Sequence, residues 1–443
     1  MTWQRVYRNG MSLWQVPLVF GCFLSVFLAS RRGIRSILFR SFSAGVALWS
    51  FLNTREDAVW IAPFVLVCLA FSATRTWKIG SGCREKTLRA LACFAAIVVV
   101  FIGNAALCAI NWHLYGLPLR NDRNAGNYAE AMRDLYLIEP DPEDEARLAS
   151  PEHEGHYHNI SYSTLCKAYD ASPTLRSVRQ QIDVAIDDSS RADGYSERDL
   201  HLDHMLFAIR LGVFRAGHYA TLRGSETFFG NVHSELEAAF RDGRLRRRRG
   251  FAVTAMSAPF KIELVPRIFR EWGRALCFVA AFGGTECVPV VLDDSEKMRF
   301  ARPHMVPVFG SSSCETTVSG VSLPVVQKKV AMANVLSRTY SVAMPWILVA
   351  MLVAYAALTI SLAIRRSRFV VPLDWWIFST GVLASILLHT ACIAYVSATT
   401  FGATSCQYLA SSYQLALMFV VVTAGMTLRA VGFSEAYKKG SNP

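Results

Sequence analysis

No aspartate or glutamate occurs in the first 55 residues; the first carboxylate of the chain is Glu56. Charged residues make up only 18% of the sequence and hydrophobic ones 52%, against ~25% and ~45–50% in ordinary soluble domains. The shortage of charge is uneven, falling before Asn111 and after Tyr340 and leaving a middle that reads like a water-soluble protein. A glycine-rich phosphate loop, a Gly-x-Ser-x-Gly elbow, a dinucleotide fingerprint and a helical His-Glu-x-x-His pair are all missing, which withdraws the commonest soluble-enzyme chemistries. A cleavable signal peptide is not apparent either. The first apolar run, 13–29, passes from Ala29-Ser30 straight into Arg31 and Arg32, a poor cleavage site, so it is expected to remain as a membrane helix. The net charge of +12 lacks the aromatic interleaving of a nucleic-acid platform. Its arginines fall between apolar runs, as cytoplasmic anchors and contacts to anionic lipid do, so no nucleic-acid partner is expected.

A helix that crosses the hydrocarbon core needs ~20 apolar residues. Runs 13–29, 91–110, 342–364, 376–396 and 409–428 meet that length, while 43–52 and 58–73 are short and pair as a hairpin. The expected fold is an α-helical multi-pass membrane protein of about seven segments. A large, mostly α-helical extracytoplasmic domain is inserted between the fourth and fifth segments, dividing the chain into 1–111, 112–340 and 341–443. Orientation follows lysine and arginine. Arg31, Arg32, Arg35 and Arg40, then Arg75, Lys78, Arg84, Lys86 and Arg89, then Arg365, Arg366 and Arg368, and finally Lys438 and Lys439 all fall on one side. With that side cytoplasmic, the segments alternate without conflict, and only the short Arg5/Arg8 tail disagrees.

Within the middle, apolar spacing predicts helices over 128–137, 202–216, 228–241 and 260–276, the third stopped by Gly243. Pro140-Asp-Pro-Glu-Asp-Glu145 reads as an acidic loop broken by prolines. The 260–276 helix sets Val265, Ile268, Phe269, Trp272 and Leu276 opposite Arg267, Arg270 and Arg274. That pattern suits a helix lying in the membrane interface, or one packed on its own domain with a solvated basic face. The 287–309 stretch, rich in valine and proline, reads as a small β excursion enclosed by Cys287 and Cys314, the pair best placed for a disulfide. His153, His156 and His158 lack a metal-binding spacing and read as solvated loop histidines, so no metal site is assigned. His389 lies in an apolar run and must find a partner inside the bundle, such as a neighbouring Thr or Tyr, while Asp374 caps the start of the same helix.

The hairpin tip is the sharpest feature. Arg55, Glu56 and Asp57 stand together between two apolar runs, and a charge at the bilayer centre costs ~3 kcal/mol even on lenient scales. They mark either a membrane-surface turn or a polar cavity within the helices. The surrounding Asn53-Thr-Arg-Glu-Asp-Ala-Val-Trp-Ile-Ala-Pro63 resembles the Arg-Glu-Glu/Asp-x-x-Trp-x-x-Pro stretch of a group of bacterial multi-pass proteins described as GT-C-like glycosyltransferases. Asn111-Trp-His-Leu-Tyr-Gly116 is similar to the Asn-x-x-x-Tyr-Gly segment that opens the outer domain of that group. Gln407-Tyr-Leu-Ala-Ser-Ser-Tyr-Gln-Leu415 resembles its Arg-Tyr-Leu-x-Pro-x-Tyr-Pro-Leu turn, with Gln407 in place of Arg and Ser411 and Gln414 in place of the prolines.

That likeness implies transfer of a sugar from a polyprenyl-phosphate donor to an envelope acceptor. Glu56 or Asp57 would serve as the base, and Arg55, Arg120, Arg267, Arg270 and Arg274 would hold phosphate or lipid headgroups. No cofactor is specified; a divalent cation is the one candidate for such phosphate chemistry. GT-C enzymes carry an aspartate in a first outer loop near the N-terminus, and its lack here implies either that an N-terminal catalytic portion lies outside this chain or that the chain is a paralogue without that chemistry. The alternative is a non-catalytic membrane protein whose outer domain binds a partner or a lipid-linked glycan. A transporter is disfavoured, since the two membrane halves show no internal similarity.

Overall fold

The computed structural model describes residues 8–29, 32–55, 58–80, 82–148, 160–193, 198–200, 204–250, 259–284, 323–364, 373–400 and 402–440. Among them the chain is helical throughout, with no β-strand and a single isolated bridge between Ile138 and Arg247. Helix α1 (Arg8–Ala29) is followed by α2 (Ile34–Thr54), α3 (Ala62–Ile79) and α4 (Cys83–Tyr115). A 3-10 turn, Ala58–Ile61, leads into α3, where Pro63 sits in the first turn and loses no helical hydrogen bond. Among the described residues, six helices are long and apolar enough to cross a membrane, with spans Met11–Ala29, Ala58–Ile79, Cys83–Tyr115, Ala331–Ile364, Leu373–Thr399 and Ala410–Val431. This is an α-helical integral membrane protein.

The sequence gives the second segment as the short run 43–52, but the helix is 21 residues long. At 1.5 Å per residue it reaches ~30 Å, the thickness of the hydrocarbon core. Its register shows that it covers the same depth as its neighbour. Arg89 Nη1 donates to the Arg32 carbonyl at 3.0 Å at one end, and Asn53 Nδ2 to Asn104 Oδ1 at 3.2 Å at the other. Helices α2 and α4 therefore run parallel. Between those contacts Gly45 lies so close to α4 that a Cβ would stand 2.7 Å from the Ala96 carbonyl oxygen, the small-residue approach that membrane helices use. Arg35 and Arg40, near its start, are what set α2 below the other six in apolarity.

Beyond α4 the chain forms α5 (Asn127–Leu137), α6 (Pro142–Leu148), α7 (Tyr162–Ala171), α8 (Pro173–Ser177), α9 (Arg179–Asp193), α10 (His204–Arg215) and α11 (Leu222–Arg241). These helices close around a core of their own that includes Met132, Leu135, Tyr169, Ile182, Ile209 and Phe229. Side chains cap the starts: Ser161 for α7, Ser172 for α8 and Thr221 for α11, each accepting from a backbone N–H two or three residues into its helix. Gly243, at φ +72°, ends the last of them, as the sequence suggests. The acidic stretch expected as a loop is instead the short helix α6. Pro142 suits a first helical position, and Glu143, Asp144 and Glu145 face the positive end of the helix dipole.

Helix α12 (Val265–Ala280) returns to the membrane bundle, completed by α13 (Leu323–Ile364), α14 (Leu373–Thr399) and α15 (Ala410–Gly440). The buried face of α12 carries Glu271, Ala275 and Val279 against α14, where Trp272 Nε1 donates to Thr390 Oγ1 at 3.0 Å. Phe269 points away and is 61% exposed. Neither expectation for this helix is complete: it packs on the C-terminal membrane helices and still presents an aromatic and two exposed arginines, Arg270 and Arg274, outward. Inside α14, His389 is fully buried, its Nδ1 2.7 Å from Ser412 Oγ and its ring 4.7 Å from that of Trp60, so its partner is a serine of α15. Asp374 does more than begin α14. It pairs with Arg75 of α3 at 2.6 Å and ties the two helices together at the end of the bundle opposite Arg55.

Candidate functional site

The last turn of α2 is anchored from behind. Gln15 Nε2 of α1 donates to Ser50 Oγ at 3.0 Å and to Thr54 Oγ1 at 2.8 Å. Arg55 follows in extended backbone, its N–H still bonded to the Phe51 carbonyl at 3.0 Å. It is buried, only 5% exposed. Arg55 lines a cavity of about 930 Å³ between the end of α2, the last turns of α4, the 118–125 loop, the middle of α10 at Arg210 and the start of α11 at Leu222. Of the charged triplet, Arg55 is the member among the described residues, and it lines this cavity where the bundle meets the helical domain.

Helix α4 is long enough to build the second wall. Its 33 residues reach ~50 Å, well beyond the ~30 Å hydrocarbon core. Asn104, Cys108, Asn111 and Tyr115 form a stripe at three- and four-residue spacing that faces the cavity. Gly116, at φ +78°, ends the helix and turns the chain, and Asn111 Nδ2 fastens the return by donating to the Leu119 carbonyl at 2.6 Å. The loop then winds around Asn121, whose side-chain oxygen accepts from the Arg123 N–H at 2.9 Å. Gly126, at φ +88°, places Asn127 so that its N–H donates to Glu226 Oε2 at 2.8 Å. A Cβ on Gly126 would stand 2.9 Å from the Glu226 carboxylate, so only glycine fits this turn.

Four arginines line the cavity, Arg55, Arg120, Arg123 and Arg210, with Asp122 the one acidic residue among the described lining. That aspartate is taken. Arg210 grips it with Nη2 at 2.5 Å and Nη1 at 3.5 Å, and the guanidinium lies over the rings of Tyr128 and Tyr219 at 5.4 Å each. Burial pushes the Tyr219 hydroxyl well above the usual phenol range, with Arg210 pulling the other way, so it stays neutral. The described wall is therefore net positive and rich in amide groups. It can bind an oxyanion, with guanidinium forks for phosphate oxygens and asparagines for hydroxyl groups.

The site residues expected from sequence divide three ways. Arg55 and Arg120 are brought together on one cavity, and Arg120 is exposed on its loop. Arg267, Arg270 and Arg274 are not among its lining residues; they lie on α12, where Arg274 Nη1 pairs with Glu271 Oε1 at 2.7 Å. Glu56, Asp57, Cys287, Cys314 and the histidines at 153, 156 and 158 lie outside the described residues. The chain neighbours of the two carboxylates, Arg55 and Ala58, both line the cavity. Sequence reasoning missed Arg123 and Arg210, which the folding of the domain brings to the cavity. The polar stripe Asn104/Asn111 in an otherwise apolar helix was the available signal. A second group, Asp134, His233 and Glu237, gathers three metal-binding side chains within the helical domain. No family model, curated protein or solved structure matches this chain.

Proposed function

We propose that the chain is a GT-C-like membrane glycosyltransferase, or the remnant of one, that accepts a polyprenyl-phosphate sugar at the Arg55 cavity and passes the sugar to an envelope acceptor. The cavity-bearing end of the bundle faces away from the cytoplasm in a bacterial inner membrane, the side that the arginine and lysine clusters leave free. The observation that carries the reading is the position of the cavity. It joins the end of a membrane helix to a hydrophilic domain and is lined by four arginines. A lipid phosphate presents an anion at that depth, with its sugar toward water and its chain in the bilayer.

In the transfer, the acceptor hydroxyl attacks the anomeric carbon as the bond to the phosphate oxygen breaks. Glu56 or Asp57 takes the hydroxyl proton, and the departing polyprenyl phosphate keeps its charge against Arg55 and Arg120. The test is a glycan assay on Glu56→Gln/Asp57→Asn beside Arg55→Gln. Loss of a general base lowers turnover ~10²–10⁴-fold, with binding of a long-chain polyprenyl phosphate retained. Arg55→Gln lowers both.

The non-catalytic reading keeps one specific observation: the only described carboxylate in the lining, Asp122, is held by Arg210. On that reading the cavity holds a lipid-linked glycan without transferring its sugar. Unchanged envelope glycans in the carboxamide variant, with normal protein levels and intact lipid-phosphate binding, would select it.

A further inference from the structure

His233 and Glu237 stand one helical turn apart on α11, so both project from the same face. Asp134 reaches them from α5, which packs alongside. One donor atom from each residue lies within 4.8 Å of the other two, and Asp134 Oδ2 is 2.5 Å from His233 Nδ1. Asp134 is fully buried, and its second carboxylate oxygen, Oδ1, has no hydrogen-bond partner. A buried, half-satisfied carboxylate is costly unless something else supplies positive charge or a donor. The side chains of His233 and Glu237 are each 30% exposed, so the group is shielded at Asp134 and reachable from solvent at its other edge.

From this arrangement we infer that Asp134, His233 and Glu237 form a binding site for a first-row divalent cation, which clamps α5 to α11. The donor set decides the class of ion. One imidazole with two carboxylates suits zinc, manganese or iron(II), whereas calcium and magnesium favour all-oxygen shells. Bound, the ion takes the place of the hydrogen bond between His233 Nδ1 and Asp134 Oδ2. It also gives Asp134 Oδ1 a positive neighbour. Burial penalises the Asp134 carboxylate, and a cation at this position opposes that penalty. Arg247, which pairs with Glu237, is the outer-shell group that orients the third ligand.

Three protein donors leave at least one position for water, so the site is open to exchange. Its place in the fold gives it a consequence. Helix α5 begins at the Gly126 turn that closes the cavity loop, so pinning its far end to α11 stiffens the wall that carries Arg120 and Arg123.

The experiment uses the full chain in detergent, stripped with a chelator and titrated with Zn²⁺ by calorimetry, with Co²⁺ absorption as a second probe. One tight site per chain is expected in the wild type, together with a visible Co²⁺ spectrum. Glu237→Gln, which keeps a carbonyl for Arg247, is expected to weaken binding at least ~10-fold, an effect of the size that even outer-shell changes produce. Asp134→Asn is expected to abolish it. Circular dichroism and elution volume matching the wild type show that each variant is folded. Equal affinity in the wild type and both folded variants would overturn the inference. So would binding that survives both but is lost when His153, His156 and His158 are replaced.

Discussion

The membrane bundle and the helical domain are both packed from helices, yet they sort their side chains by opposite rules. In the domain, Tyr169, Phe229, Met132 and Leu135 are buried, while charges pair on the outside, as Arg198 does with Asp187 and Arg215 with Asp188. In the bundle, Phe101, Trp346 and Leu428 are 70–75% exposed, while Ser379, Ser412, Thr423 and His389 are fully buried. Water drives the first arrangement, because burial removes apolar surface from it. Lipid is as apolar as leucine, so in the second the helices are held by close packing and internal hydrogen bonds, such as Ser379 to Thr423 at 3.0 Å. The cavity forms where the two rules meet, and for that reason it is walled by arginine and asparagine.

The contrast has measurable consequences. The largest is all-or-none and concerns sidedness. Cys83 and Cys277 are both exposed and lie toward opposite ends of the bundle. An impermeant maleimide applied to intact cells is expected to label Cys277 and to reach Cys83 only after permeabilisation. The reverse pattern, read by peptide mapping, would place the cavity on the cytoplasmic side.

Next comes the core. Phe229→Ala is expected to cost ~3–5 kcal/mol of stability, as large-to-small core changes do, whereas Phe101→Ala is expected to stay within ~0.5 kcal/mol, the range of most surface changes. Unfolding followed by circular dichroism in detergent compares the two, and equal losses would mean that one packing rule covers both regions. Gly126→Ala forces a side chain into left-handed backbone and against Glu226, at an expected cost of ~1–3 kcal/mol. Trp272→Phe removes the bond to Thr390 and is expected to cost ~1 kcal/mol. Asp374→Asn is smaller again: its partly exposed pair with Arg75 is worth at most ~1 kcal/mol, and less in high salt.

Much of this organisation was legible in the sequence. Apolar runs of sufficient length located five of the membrane helices, the run 58–73 fell short of the Ala58–Ile79 span, and the expected helices at 128–137 and 228–241 correspond to α5 and α11. The extent of α2 was hidden because Arg35 and Arg40, in the first turns of the helix that begins at Ile34, break its apolar run. Helices α7 to α9 carry so much serine, aspartate and arginine that their apolar stripes are thin, and the packing of Leu165, Leu175 and Ile182 defines them. Arg55 stood out because charge between apolar runs is costly. Arg210 did not, because only the fold brings it beside Asp122, 88 residues away in sequence. The same holds for Asp134 and His233, 99 residues apart. A histidine and a glutamate four apart on one helix are too common to single out without the third ligand.

Binding of a long-chain polyprenyl phosphate to the protein in lipid nanodiscs is the most direct test of the cavity as an anion site. The wild type is expected to bind, with Arg55→Gln and Arg120→Gln each weakening the dissociation constant ~10–100-fold, as loss of a charge-assisted hydrogen bond does. Arg270→Gln, on α12 and outside the cavity, is expected to leave it unchanged. Equal affinity across all four proteins, or a loss confined to Arg270→Gln, would contradict the assignment.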